Sequence, residues 1–321
     1  MRSLLRDLTG PRSQLMTQLK STWKNAVAPT TETNQKKQAV EYITFIFVNN
    51  LDQQLLAPSP ITLSLYFQSL ANRFKSPISA ENSLSGAKTY ILWRGGDVSS
   101  FDNFLVKMAI RGNRRLSTHK PKQAPPLDVG TVARVAGVLA GMGVSALPAR
   151  TVLLLGFTTF LRPSNLVSTT TTDNAIYDHT IRRGDVQLTA TGLKVYVRST
   201  KTTSAKQAFS LPVLPAAGPA CPVQTWKDYV TAYPAPPSSK ALVDATGRPL
   251  TPDDVVPDIR AALAAIKHPA ALEFSLHSLR RSGARTAAAS GATEQQVMRH
   301  GHWRSTAVRT YVPPYMYKRK Y

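Results

Sequence analysis

Residues 149–160, ARTVLLLGFTTF, are apolar on nearly every side. A helix with no polar face cannot lie on a surface, so this one must be buried in the middle of a domain. It runs directly into LRPSNL, where Arg162 is the only charge in a long apolar neighbourhood. The domain around it starts near Val129, with Val132, Ala133 and Ala136 at helical spacing. Beyond it, residues 185–214 change period. DVQLTATGLKVYVRSTKTTSAKQAFSLPVL alternates and is rich in β-branched residues, which predicts two or three antiparallel strands. TKTTSAKQ is the expected turn between the last two, and it carries Lys201 and Lys206. Short helices are expected around 223–233, at 257–267 with Ile259, Leu263 and Ile266 inward, and at 278–290, with His277 just ahead of it. Thr293-Glu294-Gln295-Gln296 reads as a capping box opening the next helix. Ser305 or Thr306 caps a last one, stopped by Pro313 and Pro314.

The first third of the chain reads differently. Residues 1–22 are polar and basic without a strong period and are expected to be a flexible arm. Four helices follow, marked by Ala39, Ile43, Ile46 and Phe47, by Leu63, Tyr66, Phe67 and Leu70, by Leu84, Ala87 and Ile91, and by Phe101, Leu105 and Met108. They make a small all-α domain over 23–112. The run RGNRRLSTHKPKQAPPLD, 111–128, lacks apolar periodicity and is rich in Arg, Lys and Pro. It places a linker at 113–128 and leaves 129–321 to the second domain. The fold class is thus mainly α with a small antiparallel β-sheet: an all-α N-terminal domain followed by an α+β domain.

Lys and Arg number 40 against 18 Asp and Glu, a formal net charge of +22 over 321 residues. Such an excess calls for an anionic partner, and nucleic acid is the first candidate. A membrane is disfavoured, because no apolar run is long enough to span one and no lipidation signal is present. The single cysteine, Cys221, excludes an internal disulfide and fits a reducing, intracellular setting. Arg111, Arg114, Arg115, Lys120 and Lys122 are candidates to track a phosphate backbone, and Arg281 and Arg285 could do the same. A merely solvated run of charge is the plainer reading of the linker residues.

The chemistry concentrates near the C-terminus. His277 and Arg280 stand three apart around a helix start, Gly301-His302-Trp303 follows, and Tyr311 lies nine residues after His302. No carboxylate or thiolate accompanies the histidines in a metal-ligand spacing, so no metal and no cofactor is expected. Two imidazoles, a guanidinium and a phenol suit the holding of a phosphodiester while a tyrosine attacks it. An enzyme without a metal must supply cations at the non-bridging oxygens, a proton for the leaving oxygen and a fixed nucleophile. Arginine is the natural clamp, since its planar fork binds two phosphate oxygens and keeps its charge. Arg162 and Arg280 are assigned that role, with His277 and His302 as further donors. Lys201, or Lys206 in its place, would protonate the leaving 5′ oxygen, and Tyr311 would be the nucleophile. His300 rivals His302, and Tyr315, Tyr317 and Tyr321 rival Tyr311 from beyond a Pro-Pro break.

These residues resemble the tyrosine recombinase (phage-integrase-like) family. LRPSNL is similar to its first-arginine motif, HSLRRSGA to its His-x-x-Arg box, GHWRSTAVRTYV to its Gly-His box and nucleophile, and the strand–turn–strand bearing Lys201 to its lysine hairpin. Arg-Pro-Ser and Gly-His-Trp resemble the eukaryotic mobile-element recombinases of the Crypton and DIRS-like kind. The resemblance implies a core-binding domain and a catalytic domain that clamp double-stranded DNA. It also implies a homotetramer on two sites and strand exchange through a 3′-phosphotyrosine without ATP. The nucleus would be the setting in a eukaryote, the cytoplasm or nucleoid otherwise. One departure is Asn165, which stands where the family usually has an acid and puts the fixing of Arg162 in doubt. A type IB topoisomerase-like relaxing enzyme and an inactive DNA-binding relative are the alternatives.

Overall fold

The computed structural model describes residues 11–27, 29–168, 179–200 and 208–317. The chain divides into two compact units, Met1–Lys122 and Gln123–Tyr321.

The first unit is helical: α1 (Pro11–Asn25), α2 (Pro29–Val48), α3 (Pro60–Arg73), α4 (Pro77–Trp93) and α5 (Phe104–Leu116). α3 starts where Ser59 Oγ accepts from the Thr62 N–H at 3.1 Å, with Pro60 in the first turn, where its missing N–H costs nothing. Its buried side chains include Leu63, Tyr66, Phe67 and Leu70, and those of α4 include Leu84, Ala87 and Ile91, as their spacing predicts. Residues 11–25, in the stretch expected to be a flexible arm, are helical, since helix-forming Gln, Leu, Met and Lys suffice without an apolar stripe. Two expected inward faces fail. On α2 the inward residues are Tyr42 and Ile46, while Phe47 is exposed. On α5, Leu105 and Met108 are exposed and Val106 is buried, and the helix runs on through Arg111, Arg114 and Arg115 into the stretch assigned to a linker.

The second unit is built on α7 (Leu147–Thr159), buried along nearly its whole length. α6 (Val129–Gly141), α9 (Pro222–Ala232), α10 (Pro252–Ala265) and α11 (Leu276–Ala289) pack around it. Between α7 and α9 lie the short α8 (Pro163–Leu166) and three strands, β1 (Val186–Thr189), β2 (Gly192–Val197) and β3 (Phe209–Val213). The strands form one antiparallel sheet in the order β1-β2-β3, with Val195 opposite Val186 on one side and Leu211 on the other. α10 begins earlier than its apolar pattern suggests, because Thr251 and Asp254 cap it. α11 also begins earlier: Ser275 is its cap, Ser278 answers from inside the first turn, and His277 is therefore within the helix. α12 (Glu294–Gly301) opens with the expected box, Thr293 and Gln296 exchanging bonds of 2.8 and 3.2 Å. A short 3₁₀ turn, Thr306–Thr310, follows, capped by Ser305.

A second, smaller core gathers Phe160, Ala284, Ala288, Val297, Trp303, Val308 and Val312. It joins the end of α7 to α11, α12 and the Tyr311 segment. Its closeness depends on glycine: a Cβ on Gly283 would strike the Phe157 carbonyl and the Phe160 ring, and one on Gly301 would enter the Trp303 indole.

Candidate active site

Arg280 is the centre of the site. It is 2% exposed, yet no carboxylate among the described residues pairs with it. Its Nη1 donates to the Phe160 carbonyl and its Nη2 to the Gly301 carbonyl at 2.8 Å. Its Cζ lies 3.8 Å from the centroid of the Trp303 ring. Its Nε has no partner. Carbonyl dipoles and an indole face are what a desolvated cation can use when no anion is present. They leave it under-compensated: burial, then the nearby Arg162, pull its pKa down to about 10, against a smaller upward pull from Tyr311.

The left-handed turn at Phe160, φ 52°, lets the chain leave α7 and present Arg162 at the start of α8. Arg162 is half-buried, and its charge is felt by His179, His277, Arg280 and His302. Solvent reaches His277, but protein crowds the ring; this, then Arg280 and Arg162, holds its pKa below the ordinary value. His302 caps α12 in a left-handed conformation, φ 53°, and stacks on Phe209 at the start of β3, with centroids 3.4 Å apart. Burial, then Arg304, Arg162 and Arg280, lower its pKa as well. His300, its rival, turns away: its Nε2 is 2.9 Å from the Thr158 carbonyl and its ring meets the edge of Phe160.

Tyr311 directly follows the 3₁₀ turn. Its ring centroid is 5.2 Å from that of Trp303, 5.6 Å from Arg280 Cζ and 5.9 Å from Arg281 Cζ. Arg281 braces the same segment, its Nη2 donating to the Thr310 carbonyl at 2.8 Å and its Nη1 to Gln123 Oε1 at 2.6 Å. Arg309 grips the Glu294 carboxylate at 2.9 Å from the other side. Among the rival tyrosines, Tyr315 is exposed, the Tyr317 hydroxyl is buried without a partner, and Tyr321 lies outside the described residues.

The fold thus brings Arg162, His277, Arg280, His302 and Tyr311 together, with Arg281 alongside. Lys201 and Lys206 lie outside the described residues. In the first unit Arg111 and Arg115 are exposed on α5 and Lys120 and Lys122 are exposed beyond it. Arg114 is engaged, its Nε and Nη2 lying 2.6 and 2.5 Å from the Glu81 carboxylate. Sequence reasoning missed His179, Phe209 and Arg304. Arg304 could have been found, since it follows Gly301-His302-Trp303 directly; His179 and Phe209 belong to no local pattern.

The sequence matches no protein-family model and no curated protein. Solved structures do resemble it. A lambda integrase(75-356) dimer bound to a COC′ core site aligns at 14% identity over 93% of this chain and 94% of that one, with a TM-score of 0.59. XerH site-specific recombinase bound to palindromic difH substrate aligns at 14% identity over 79% of this chain and 69% of that one, with a TM-score of 0.53. The Tn1549 transposon integrase (aa 82-397) in complex with circular intermediate DNA aligns at 14% identity over 92% of both chains, with a TM-score of 0.52. At these identities the likeness is one of architecture. Mainly helical, with a three-stranded antiparallel sheet beside a buried central helix, the chain has the tyrosine-recombinase fold.

Proposed function

We propose that this protein is a site-specific DNA recombinase of the tyrosine type, which cuts and rejoins strands through a 3′-phosphotyrosine. The observation that carries this reading is Arg280: a buried cation with no carboxylate partner among the described residues, in the company of Arg162, His277 and His302, beside a tyrosine. Concentrated positive charge with no counter-ion among the described residues suits a visiting anion. A phosphodiester placed there would be met by the half-buried Arg162 fork and by the charge of Arg280, whose Nη1 and Nη2 also donate to the Phe160 and Gly301 carbonyls. Its developing charge would be met by groups already oriented, so little reorganisation is needed at the moment of reaction. His277 and His302, whose pKa is held below the ordinary value in the free protein, can donate a hydrogen bond to the phosphate or, in the neutral form, accept the phenol proton.

Tyr311 Oη then forms the bond to phosphorus as the bond to the 5′ oxygen breaks. Lys201, or Lys206, supplies the proton to that oxygen. The covalent phosphotyrosine conserves the bond for rejoining, so neither ATP nor a metal is called for. The net charge of +22 and the exposed Arg111, Arg115, Lys120 and Lys122 support DNA as the partner, with the helical unit as its core-binding domain. A homotetramer on two duplexes and a working place beside chromosomal DNA belong to the same reading: the nucleus in a eukaryote, the cytoplasm or nucleoid otherwise. The eukaryotic mobile-element placement rests on the motif wording at Arg162-Pro163-Ser164 and Gly301-His302-Trp303.

The test is covalent capture from a pool of duplexes with a randomised central segment. Wild-type protein should retain DNA after denaturation, and the attached peptide should contain Tyr311; Tyr311→Phe should bind DNA and retain none. An adduct that persists in Tyr311→Phe assigns the nucleophile elsewhere, and binding without any adduct from wild type marks an inactive relative. Relaxation of supercoiled DNA by a monomer, with no joint products between two sites, would favour a topoisomerase-like enzyme.

A further inference from the structure

Arg280 and Arg281 are consecutive on α11, and both guanidinium groups lie against the Tyr311 ring, with Cζ 5.6 and 5.9 Å from its centroid. Arg281 was a candidate to hold a DNA phosphate, yet two of its three nitrogens are engaged by protein. Its Nη2 donates to the Thr310 carbonyl at 2.8 Å and its Nη1 to Gln123 Oε1 at 2.6 Å. Thr310 ends the 3₁₀ turn and immediately precedes Tyr311. The last carbonyls of a helical turn have no N–H ahead of them to accept from, and Arg281 brings a charged donor to this one.

The other holds on this segment are of a different kind. Val308 and Val312 are fully buried in the smaller core, and the N–H groups of Tyr311 and Val312 both donate to the Val308 carbonyl at 2.9 Å. Arg309 pairs with Glu294 on the exposed side. Apolar burial sets how deep the segment sits but has no direction, and an exposed ion pair contributes little. The bond from Arg281 is directional, and it falls on the peptide from which the Tyr311 side chain departs. Because Arg281 adjoins Arg280, that peptide is referred to the clamp within one turn of α11. The alternative route runs through the whole of α12 and the turn after it.

We infer that Arg281 is a positioning residue for the nucleophile and not a contact to the DNA backbone: it fixes the Thr310–Tyr311 peptide relative to Arg280. The inference rests on the recombinase reading of the site. Arg281 acts through its neighbours and touches no reacting atom. Its loss would leave Val308 and Val312 anchored and the protein able to hold DNA. Tyr311 alone would drift from the line of attack, where an error of about an ångström is enough to slow the reaction severely.

The experiment uses full-length protein and the site captured from the randomised pool. Arg281→Lys keeps a positive charge, but an ammonium on a flexible stem cannot reproduce the planar fork that spans Thr310 and Gln123. Arg281→Ala removes fork and charge together. At saturating protein and matched folded fraction, each variant should cleave in single turnover about tenfold to a hundredfold more slowly than wild type. Binding is measured with Tyr311→Phe added, so that no strand is cut. It should stay within about twofold of Tyr311→Phe alone, with an unchanged slope of log affinity against log salt. A phosphate contact makes the opposite forecast: Arg281→Lys cleaves like wild type, while Arg281→Ala binds more weakly and its salt slope flattens by about 0.9. That result overturns the inference. So do wild-type rates in both variants, a loss of affinity as large as the loss of rate, or failure of both variants to fold. If wild-type protein captures no DNA, the recombinase reading itself fails and this inference falls with it. Capture by wild type with an unaffected Arg281→Lys removes the inference alone.

Discussion

Among its described residues the second unit buries two arginines, and they differ in their company. Arg183 is 8% exposed, stacks with its Cζ 5.3 Å from Trp226 and 4.9 Å from Tyr229, and donates from Nη2 to the Tyr233 carbonyl at 3.0 Å. Its Nε and Nη1 have no partner. Arg280 has the same fittings: aromatic faces, backbone carbonyls and an unpartnered nitrogen. Burial lowers the pKa of both. Around Arg183, however, the next influence is Tyr229, which eases the charge, whereas around Arg280 it is Arg162, which aggravates it. A buried guanidinium wrapped in aromatic rings is thus a structural device by default. It becomes a candidate anion site only where further cations converge on it at the fold's expense.

The widest separation should come from removing each arginine. Arg280→Ala should lose about 3 kcal/mol of transition-state stabilisation, the usual cost of one preorganised donor, with single-turnover cleavage falling by orders of magnitude. Arg183→Ala should instead cost about 2–4 kcal/mol of folding stability through the void and the lost stacking, while the folded fraction cleaves at the wild-type rate. Denaturant unfolding beside single-turnover cleavage measures both. Cleavage lost equally in the two variants would erase the distinction.

The same contrast shows what could be read from the sequence. Arg280 was found because His277 and Arg280 stand at a helical spacing and Gly301-His302-Trp303 follows at a short distance. α3 and α4 were found because apolar residues recurred on one face. Arg183 gave no such signal, since its partners Trp226, Tyr229 and Tyr233 lie on α9 or at its end, some forty to fifty residues on. The bond from Arg281 to Thr310 was equally hidden: it joins a side chain to a backbone carbonyl, and a carbonyl leaves no trace in residue identity. The inward face of α5 was misread because Phe104, Leu105, Val106 and Met108 are all apolar, and periodicity cannot choose a face when neighbours on both sides qualify. Local pattern carried the elements and the motifs, and long-range backbone bonds carried the remainder.

A smaller effect tests whether the indole under each guanidinium serves the same end. Trp303→Leu removes the face 3.8 Å from Arg280 and should slow cleavage by roughly tenfold, since a desolvated cation–π contact is worth about 1–2 kcal/mol. Trp226→Leu should lower stability by a similar amount and leave cleavage by folded protein alone. The two variants are compared at matched folded fraction, so that a rate change cannot be a stability change in disguise. If Trp303→Leu affects stability alone, the rings do one job at both places, and the stacking at Arg280 is no part of the clamp.

The smallest effect is in pH, and its sign separates the two arginines once more. In the free protein burial and the neighbouring arginines hold the pKa of His277 and His302 below the ordinary value. A lowered folded pKa means that the unfolded chain takes up protons first as the solution is acidified. Their contribution to stability is therefore complete above about pH 6.5 and is lost as pH falls from there toward the lowered values. A bound phosphate acts in the opposite direction: its negative charge favours the imidazolium, so the complex should take up protons where the free protein does not. DNA affinity should then rise as pH falls from about 7.5 to 6, by less than about tenfold per histidine per pH unit, while the free protein loses stability only below about pH 6.5. Titration calorimetry in buffers of different ionisation enthalpy counts the protons directly. His277→Asn and His302→Asn should each remove part of the uptake. Arg183→Ala should leave both slopes unchanged, because no histidine figures among the influences on Arg183. Affinity that is flat across this range, or that weakens in acid, would mean that the phosphate does not lie against these imidazoles, and the convergence on Arg280 would then need another anion to explain it.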